Sequence, residues 1–282
     1  MRLNRFGRAG VTFFSKARLR FVFGRVRAIM AGFGYLGTKI AEQLKNEGFS
    51  LTVITRTARR AEAESLPDVH FIGCDLAEST PEIAPGIFDT AIFCLAPGSP
   101  GRSRQSYAQT YCTAQSHFLK AVSAQHYVFI SSTAVYPDAP GTYNEEMAEN
   151  HSERAEILLA AEQIAQEQKN SCILRLAGLY SADRPIYGAQ GITYSDDKLV
   201  HFIHRDDAAR AVLHAVKNQL TGIYNVHDGN PQLRSTILNY LRAEKMEPQV
   251  TARRLLDCGK FFASGFRPIY ADYFAGTGKV QN

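Results

Sequence analysis

No run of apolar side chains in this sequence approaches the roughly 20 residues that a membrane-crossing helix requires. A membrane-spanning role is therefore not expected. Cysteine is scarce too: Cys74, Cys94, Cys112, Cys172 and Cys258 are odd in number, widely spaced and without a Cys-x-x-Cys pair. That pattern indicates neither a zinc site nor a disulfide framework, so no metal is expected and the thiols should be reduced, as in the cytoplasm. No apolar signal core with a small-residue cleavage site stands near the N-terminus, which argues against secretion. Acidic residues are absent from positions 1–27, where Arg2, Arg5, Arg8, Lys16, Arg18, Arg20, Arg25 and Arg27 stand. These basic residues account for more than the whole formal charge of +5, so the rest of the 282-residue chain is slightly acidic. A basic arm, an organelle transit peptide and a plain extension all fit residues 1–25. With only Thr12 and Ser15 as hydroxyl residues there, the plain extension is preferred. The acidic remainder leaves no broad basic face, and nucleic acid is not an expected partner.

What is present is a regular alternation of apolar strands and amphipathic helices. Strands are expected at 26–31, 51–55, 69–74, 90–95, 127–130 and 172–176, rich in Val, Ile, Phe and Leu and without polar alternation. Helices are expected at 36–47 (Leu36, Ile40 and Leu44 on one face, a stop at Gly48), 59–66, 106–125 and 153–168. Strands apolar on both faces, joined by helices, mean a parallel sheet covered on both sides: an α/β fold. Beyond Gly178 the pattern loosens. A strand at 199–203, a helix at 208–218 capped by Asp206 or Asp207, a strand at 222–226 and a helix at 236–244 are expected.

The first strand runs into Gly32-Phe33-Gly34-Tyr35-Leu36-Gly37, a Gly-x-Gly-x-x-Gly turn with a helix after it and a second strand about twenty residues on. In that context the first glycine makes the tight turn, the second lets the backbone approach a dinucleotide diphosphate, and the third lets helix and strand pack closely. The helix start presents free N–H groups to the phosphates. At the end of the second strand, where an Asp or Glu would hold a ribose 2′-hydroxyl, stand Thr55, Arg56, Thr57, Ala58, Arg59 and Arg60. No carboxylate is available and guanidinium forks are, which favours a 2′-phosphate and hence NADP, with NAD as the alternative. Two other constellations fail. His201 and His204, three apart on a strand, point to opposite faces. Gly276-Thr277-Gly278-Lys279 lacks the spacing and following helix of a phosphate loop.

These residues, with others along the chain, resemble the NAD-dependent epimerase/dehydratase family, the extended short-chain dehydrogenases, over about residues 26–275. Asp75-Leu76 resembles the family's adenine-contacting pair, and Leu95-Ala96-Pro97 the fourth-strand loop that lines the cofactor. Phe129-Ile130-Ser131-Ser132-Thr133-Ala134-Val135-Tyr136 resembles the segment that carries the catalytic hydroxyl, which the match places at Ser132, with Ser131 beside the cofactor. Leu174 to Tyr180 resembles the lead into the substrate region, and His204-Arg205-Asp206-Asp207 a family helix start. The resemblance implies a Rossmann-type doubly wound parallel sheet over 26–176. It also implies a mainly substrate-binding α/β region over 177–282, with 199–230 returning to the sheet. It further implies an NAD(P)-dependent oxidoreductase or epimerase acting on a hydroxyl- or carbonyl-bearing small molecule such as a nucleotide sugar. A homodimer is retained as an assembly.

One departure stands out. The family's proton-transferring Tyr-x-x-x-Lys pair, which one helical face would present together, is missing: no Tyr occurs between Tyr143 and Tyr180 and no Lys between Lys120 and Lys169. The positions near it hold Arg154 and Leu158. Tyr194 and Lys198 have the spacing but lie in a loop past the sixth strand. Thr133-Ala134 also replaces the acidic pair of the family's dehydratases. Tyr136, Tyr143, His151 and Arg154 are the candidates to stand in for the missing base, with His151 carrying the imidazole suited to transfer near neutrality. A dinucleotide sensor that has lost catalysis is the competing reading.

Overall fold

The structure, a computed structural model, describes residues 25–56, 66, 68–97, 104–185, 198–242 and 253–278. Strands β1 (Arg27–Ala31), β2 (Ser50–Thr55), β3 (Val69–Gly73), β4 (Ile87–Phe93), β5 (Ser123–Ser132), β6 (Ser171–Leu176) and β7 (Gly222–Val226) form one sheet. Their order is β7-β6-β5-β4-β1-β2-β3 and every neighbouring pair is parallel. The order reverses between β1 and β4, so a crevice opens there at the carboxyl ends of the strands.

The strand composition explains the layering. Side chains alternate faces with period two, and here both faces are apolar. Met30, Val53, Ile92, Val128 and Leu174 feed one core. Ile29, Ile54, Phe93, Phe129 and Ile173 feed the other. Helices cover both: α1 (Gly37–Asn46), α2 (104–121), α3 (Glu153–Gln166) and α4 (Arg205–Lys217). Helix α1 buries Gly37, Ile40, Ala41 and Leu44, the spacing of one helical stripe. It docks on α4, with the Gln43 amide donating to the Asp206 carbonyl at 3.2 Å and Lys217 paired with Glu47 at 2.6 Å. Ser152 caps α3 by accepting from the Ala155 amide at 3.2 Å. No described helix is long and apolar enough to cross a membrane.

Three local expectations are corrected. Helix α2 was expected to reach Gln125 but ends at Ala121, and it contains a π turn at Gln109–Thr113. Val122 is already extended, and Ser123 and Ala124 pair with Ile87 and Phe88, so strand pairing overrides helical propensity there. The expected strand at 199–203 is two strands broken at His201. Leu199–Val200 pairs antiparallel with Gln232–Leu233, and Phe202–His204 pairs parallel with Gly178–Tyr180. Helix α4 is capped by His204, whose Nδ1 accepts from the Asp206 amide at 3.2 Å, rather than by Asp206 or Asp207. Asp207 is turned inward instead, where its carboxylate accepts from the Ile269 and Tyr270 amides at 2.8–2.9 Å and pairs with Arg210 at 2.6 Å. Residues 59–65 of the expected helix and most of the basic extension lie outside the described residues, as does Tyr194.

Segments that follow β5, β6 and β7 gather beyond the strand ends. Gly141–Tyr143 pairs with Arg254–Leu256, and Tyr180, Phe202, Ile237, Tyr273 and Phe274 form a third apolar cluster. This places the smaller region above the carboxyl edge of the sheet.

Candidate active site

The glycine turn sits where β1 ends, and each glycine has its own physical reason. Gly32 has φ +101°, and a Cβ there would meet the Cys94 carbonyl oxygen at 2.7 Å. Gly37 lies against the turn itself, where a Cβ would overlap the Gly32 carbonyl oxygen. Gly34 is different: a Cβ there would have nothing within 4 Å. Packing therefore demands glycine at Gly32 and Gly37, while Gly34 leaves bare backbone facing open space. The start of α1 carries no side-chain cap and no acidic residue in its first turn. Uncapped amides and the positive end of the helix suit an anion, so these residues fit a dinucleotide diphosphate.

Thr55 and Arg56 follow at the end of β2, and Asp75 and Leu76 after β3. Arg56 Nη1 lies 3.8 Å from Asp75 Oδ2, with the arginine largely exposed. Asp75 Oδ1 accepts from the Ala77 amide at 3.0 Å, which fixes that carboxylate in a turn. Leu76 is buried, and its carbonyl bonds His117 Nδ1 at 2.8 Å. Phe33 meets Phe71 edge-on at 5.2 Å. Leu95, at the head of the Leu95-Ala96-Pro97 loop after β4, borders Gly32. Gly32 to Gly37, Thr55, Arg56, Asp75, Leu76, Leu95, Ala96, Pro97, Ser131 and Ser132 thus all lie at or just past the carboxyl ends of strands, along one edge.

Ser132 ends β5 and caps the 3-10 turn Thr133–Val135, its Oγ accepting from the Ala134 amide at 3.2 Å. Its own hydroxyl proton remains available to a ligand. Ser131 points into the protein and donates to Glu162 Oε1 at 2.5 Å. Glu162 pairs with Arg175 at 2.7 Å, both side chains 3% exposed. Arg175 Nη1 donates to the Tyr136 hydroxyl at 2.7 Å, and that hydroxyl donates to Asn225 Oδ1 at 2.7 Å. Strand register explains the meeting, since Arg175 pairs with Ser131 on one side and Asn225 on the other. Burial raises the Tyr136 pKa, opposed by the Arg175 charge. Tyr136 is 1% exposed, so its hydroxyl serves this network. Tyr143 packs on it at 5.8 Å.

The remaining candidates are exposed at or near the start of α3. His151 is exposed, with Nδ1 3.1 Å from the Glu149 carbonyl. Arg154 is exposed at the start of α3, its guanidinium 5.5 Å from the Tyr107 ring. The inward face of α3 is Ala155, Ile157, Leu158, Ala161, Glu162 and Ala165, which holds neither phenol nor ammonium. His201 and His204 turn to different partners. His201 Nε2 accepts from the Leu256 amide at 3.1 Å, whereas His204 faces Tyr270. Among the described residues no group of three or more His, Cys, Asp or Glu could hold a metal.

Sequence reasoning missed two features. Glu162 and Arg175 form a buried pair, although a charged residue inside the apolar strand Cys-Ile-Leu-Arg-Leu was a visible signal. Tyr35 reaches Ser181, its hydroxyl 2.5 Å from Ser181 Oγ, across 146 residues. No local pattern announces such a contact.

A protein-family model described as NAD(P)H-binding matches residues 32–219. No curated protein matches the chain in sequence. Solved structures with the same fold include a protein from Methylobacillus flagellatus provisionally assigned as an NAD-dependent epimerase/dehydratase (22% identity, TM-score 0.66, 90% of this chain and 97% of that one). A UDP-glucose 4-epimerase from Thermus thermophilus in complex with NAD is 19% identical, with TM-score 0.68, covering 89% of this chain and 96% of that one. UDP-N-acetylglucosamine 4-epimerase from Bacillus cereus is 18% identical, with TM-score 0.61, covering 89% and 94%. At such identities the likeness is one of fold.

Proposed function

Because this chain belongs to the NAD(P)H-binding family, we propose that it is an NADP-dependent oxidoreductase or epimerase of the extended short-chain dehydrogenase type. Its substrate would be a hydroxyl- or carbonyl-bearing small molecule, with nucleotide sugars first among them, since structural neighbours include UDP-sugar epimerases. The observation that carries the reading is the bare backbone at Gly34, held between two glycines that packing requires. The Gly32–Gly37 turn takes the diphosphate. Arg56 takes the 2′-phosphate, because no carboxylate stands at the end of β2 to claim a free 2′-hydroxyl. Asp75 and Leu76 border the adenine, and Leu95, Ala96, Pro97 and the Ser131 backbone line the path to the nicotinamide. When bound, the dinucleotide supplies hydride chemistry.

The chain's own groups orient substrate and handle the proton. Ser132 donates its hydroxyl proton to the substrate oxygen, its own lone pair being held by the Ala134 amide. Tyr136 is a positioning residue that joins Arg175 to Asn225. Of the two exposed candidates at the start of α3, His151 carries the transferable proton and Arg154 a fixed charge.

The second reading, a dinucleotide sensor that has lost catalysis, is favoured by the inward face of α3, which has no proton-transferring pair. One experiment separates them. Purified protein is mixed with NADPH or NADP and a panel of UDP-sugars, aldehydes and ketones, with Ser132→Ala in parallel. Turnover lost in Ser132→Ala supports the enzyme. Tight binding without turnover on any substrate, unchanged in Ser132→Ala, supports the sensor.

A further inference from the structure

Tyr35 follows the bare Gly34 backbone directly, and two guanidiniums lie against its ring. The Arg184 guanidinium carbon is 4.6 Å from the ring centroid and that of Arg205 is 4.8 Å. Arg184 comes from the segment after Gly178–Tyr180, and Arg205 opens α4. Three chain segments, distant in sequence, thus meet beside the phosphate-binding turn. The Tyr35 hydroxyl bonds Ser181 at 2.5 Å, and Ser181 donates to Asp183 Oδ1 at 2.5 Å, which fixes the ring.

Both guanidiniums lie within 5 Å of the ring centroid, and neither is engaged in a short charge-assisted hydrogen bond. Arg184 is exposed and has no carboxylate partner among the described residues. Arg205 has carboxylates near it, Asp183 and Asp206, but each at 3.7 Å. That is longer than the ~2.7–2.9 Å of a charge-assisted hydrogen bond. Arg205 Nε is buried without a hydrogen-bond partner. Arg184 thus carries a charge with no carboxylate beside it, and Arg205 a buried Nε donor with no hydrogen-bond acceptor, and both suit an anion placed between them.

We propose that Arg184 and Arg205, carried on the Tyr35 ring, form a guanidinium clamp for the diphosphate of the bound dinucleotide. The clamp would hold the diphosphate beside the Gly34 backbone, next to which Tyr35 stands in sequence. It also ties cofactor occupancy to Arg184, which follows Gly178–Tyr180 on the way to the substrate region. This rests on the NADP-binding reading above.

The test uses the full chain with NADPH, ADP, adenosine 2′-monophosphate and UDP as probes, followed by calorimetry. Arg184→Ala and Arg205→Ala should each weaken NADPH and ADP by about tenfold or more. Adenosine 2′-monophosphate, which lacks the diphosphate, should bind unchanged. Tyr35→Leu, which removes the ring, should reproduce the loss, and Tyr35→Phe should not. Because Arg205 is partly buried, the exposed Arg184 variant decides if Arg205→Ala unfolds. NADPH binding unchanged in Arg184→Ala would overturn the clamp. So would a loss confined to UDP, which would assign the arginines to a substrate phosphate, or an equal loss for adenosine 2′-monophosphate. Wild-type protein that binds no nicotinamide nucleotide would instead sink the underlying NADP reading.

Discussion

Gly34→Ala and Gly37→Ala should have opposite consequences, although the two positions are three residues apart. Gly34 does not have a positive φ, and a Cβ there meets nothing within 4 Å. Alanine should fit the free protein and alter its stability by under about 1 kcal/mol, toward stabilisation through the unfolded chain. The methyl group would stand where the diphosphate must approach. Losing a hydrogen bond from backbone amide to charged phosphate costs about 1.5–3 kcal/mol, which weakens the cofactor roughly 10- to 150-fold. At Gly37 the methyl would overlap the Gly32 carbonyl oxygen, a backbone atom that cannot swing away. Overpacking of that kind costs about 1–3 kcal/mol of stability or more. Urea unfolding of both variants, with NADPH titration of each, makes the comparison. The reasoning is refuted if Gly34→Ala destabilises as much as Gly37→Ala, or if it binds NADPH as wild type does.

Arg56→Ala should weaken NADPH by tenfold or more while leaving NADH nearly unchanged, an estimate of about 1.5–3 kcal/mol for one charge-assisted contact; equal losses by fluorescence titration would remove the case for NADP. The buried Glu162–Arg175 pair predicts a loss of about 3–5 kcal/mol in Arg175→Met, which strands a carboxylate. The double variant Glu162→Leu/Arg175→Met should cost less than the two single losses together in denaturant melts, and simple additivity would contradict the coupling. Asp228 is buried beside Asp207 and Asp272, and burial foremost raises its carboxyl from the usual 3.8 to about 7. Native protein therefore holds a proton there that the unfolded chain releases, so stability falls as pH rises through that window, by on the order of 1 kcal/mol per unit. Asp228→Asn should remove that slope in thermal melts between pH 4 and 7; an unchanged slope would place Asp228 in contact with water.

The sheet and the glycine turn are legible in the sequence because their signals are local. Apolar strands such as Ala28–Ala31 and the three glycines between β1 and α1 need no distant partner to be read. Boundaries set by pairing are less legible. Nothing local says that Ser123 and Ala124 leave a helix to join Ile87 and Phe88, or that His204 rather than Asp206 caps α4. The polar interior is least legible, since Ser131, Glu162, Arg175 and Asn225 meet only through strand register and helix docking. The meeting of Arg184 and Arg205 at the Tyr35 ring likewise exists only once segments distant in sequence are brought together. The missing Tyr-x-x-x-Lys pair, by contrast, is plain in the sequence, and the inward face of α3, with neither phenol nor ammonium, gives it structural form.

The central claim is that the bare backbone at Gly34 receives the diphosphate of a phosphorylated nicotinamide dinucleotide. Calorimetric titration of the folded full-length chain with NADPH and with NADH tests it most directly. Saturable one-site uptake of both, tighter for NADPH, is the predicted result. No heat of binding from either, with the protein shown folded by a cooperative melt, would contradict it.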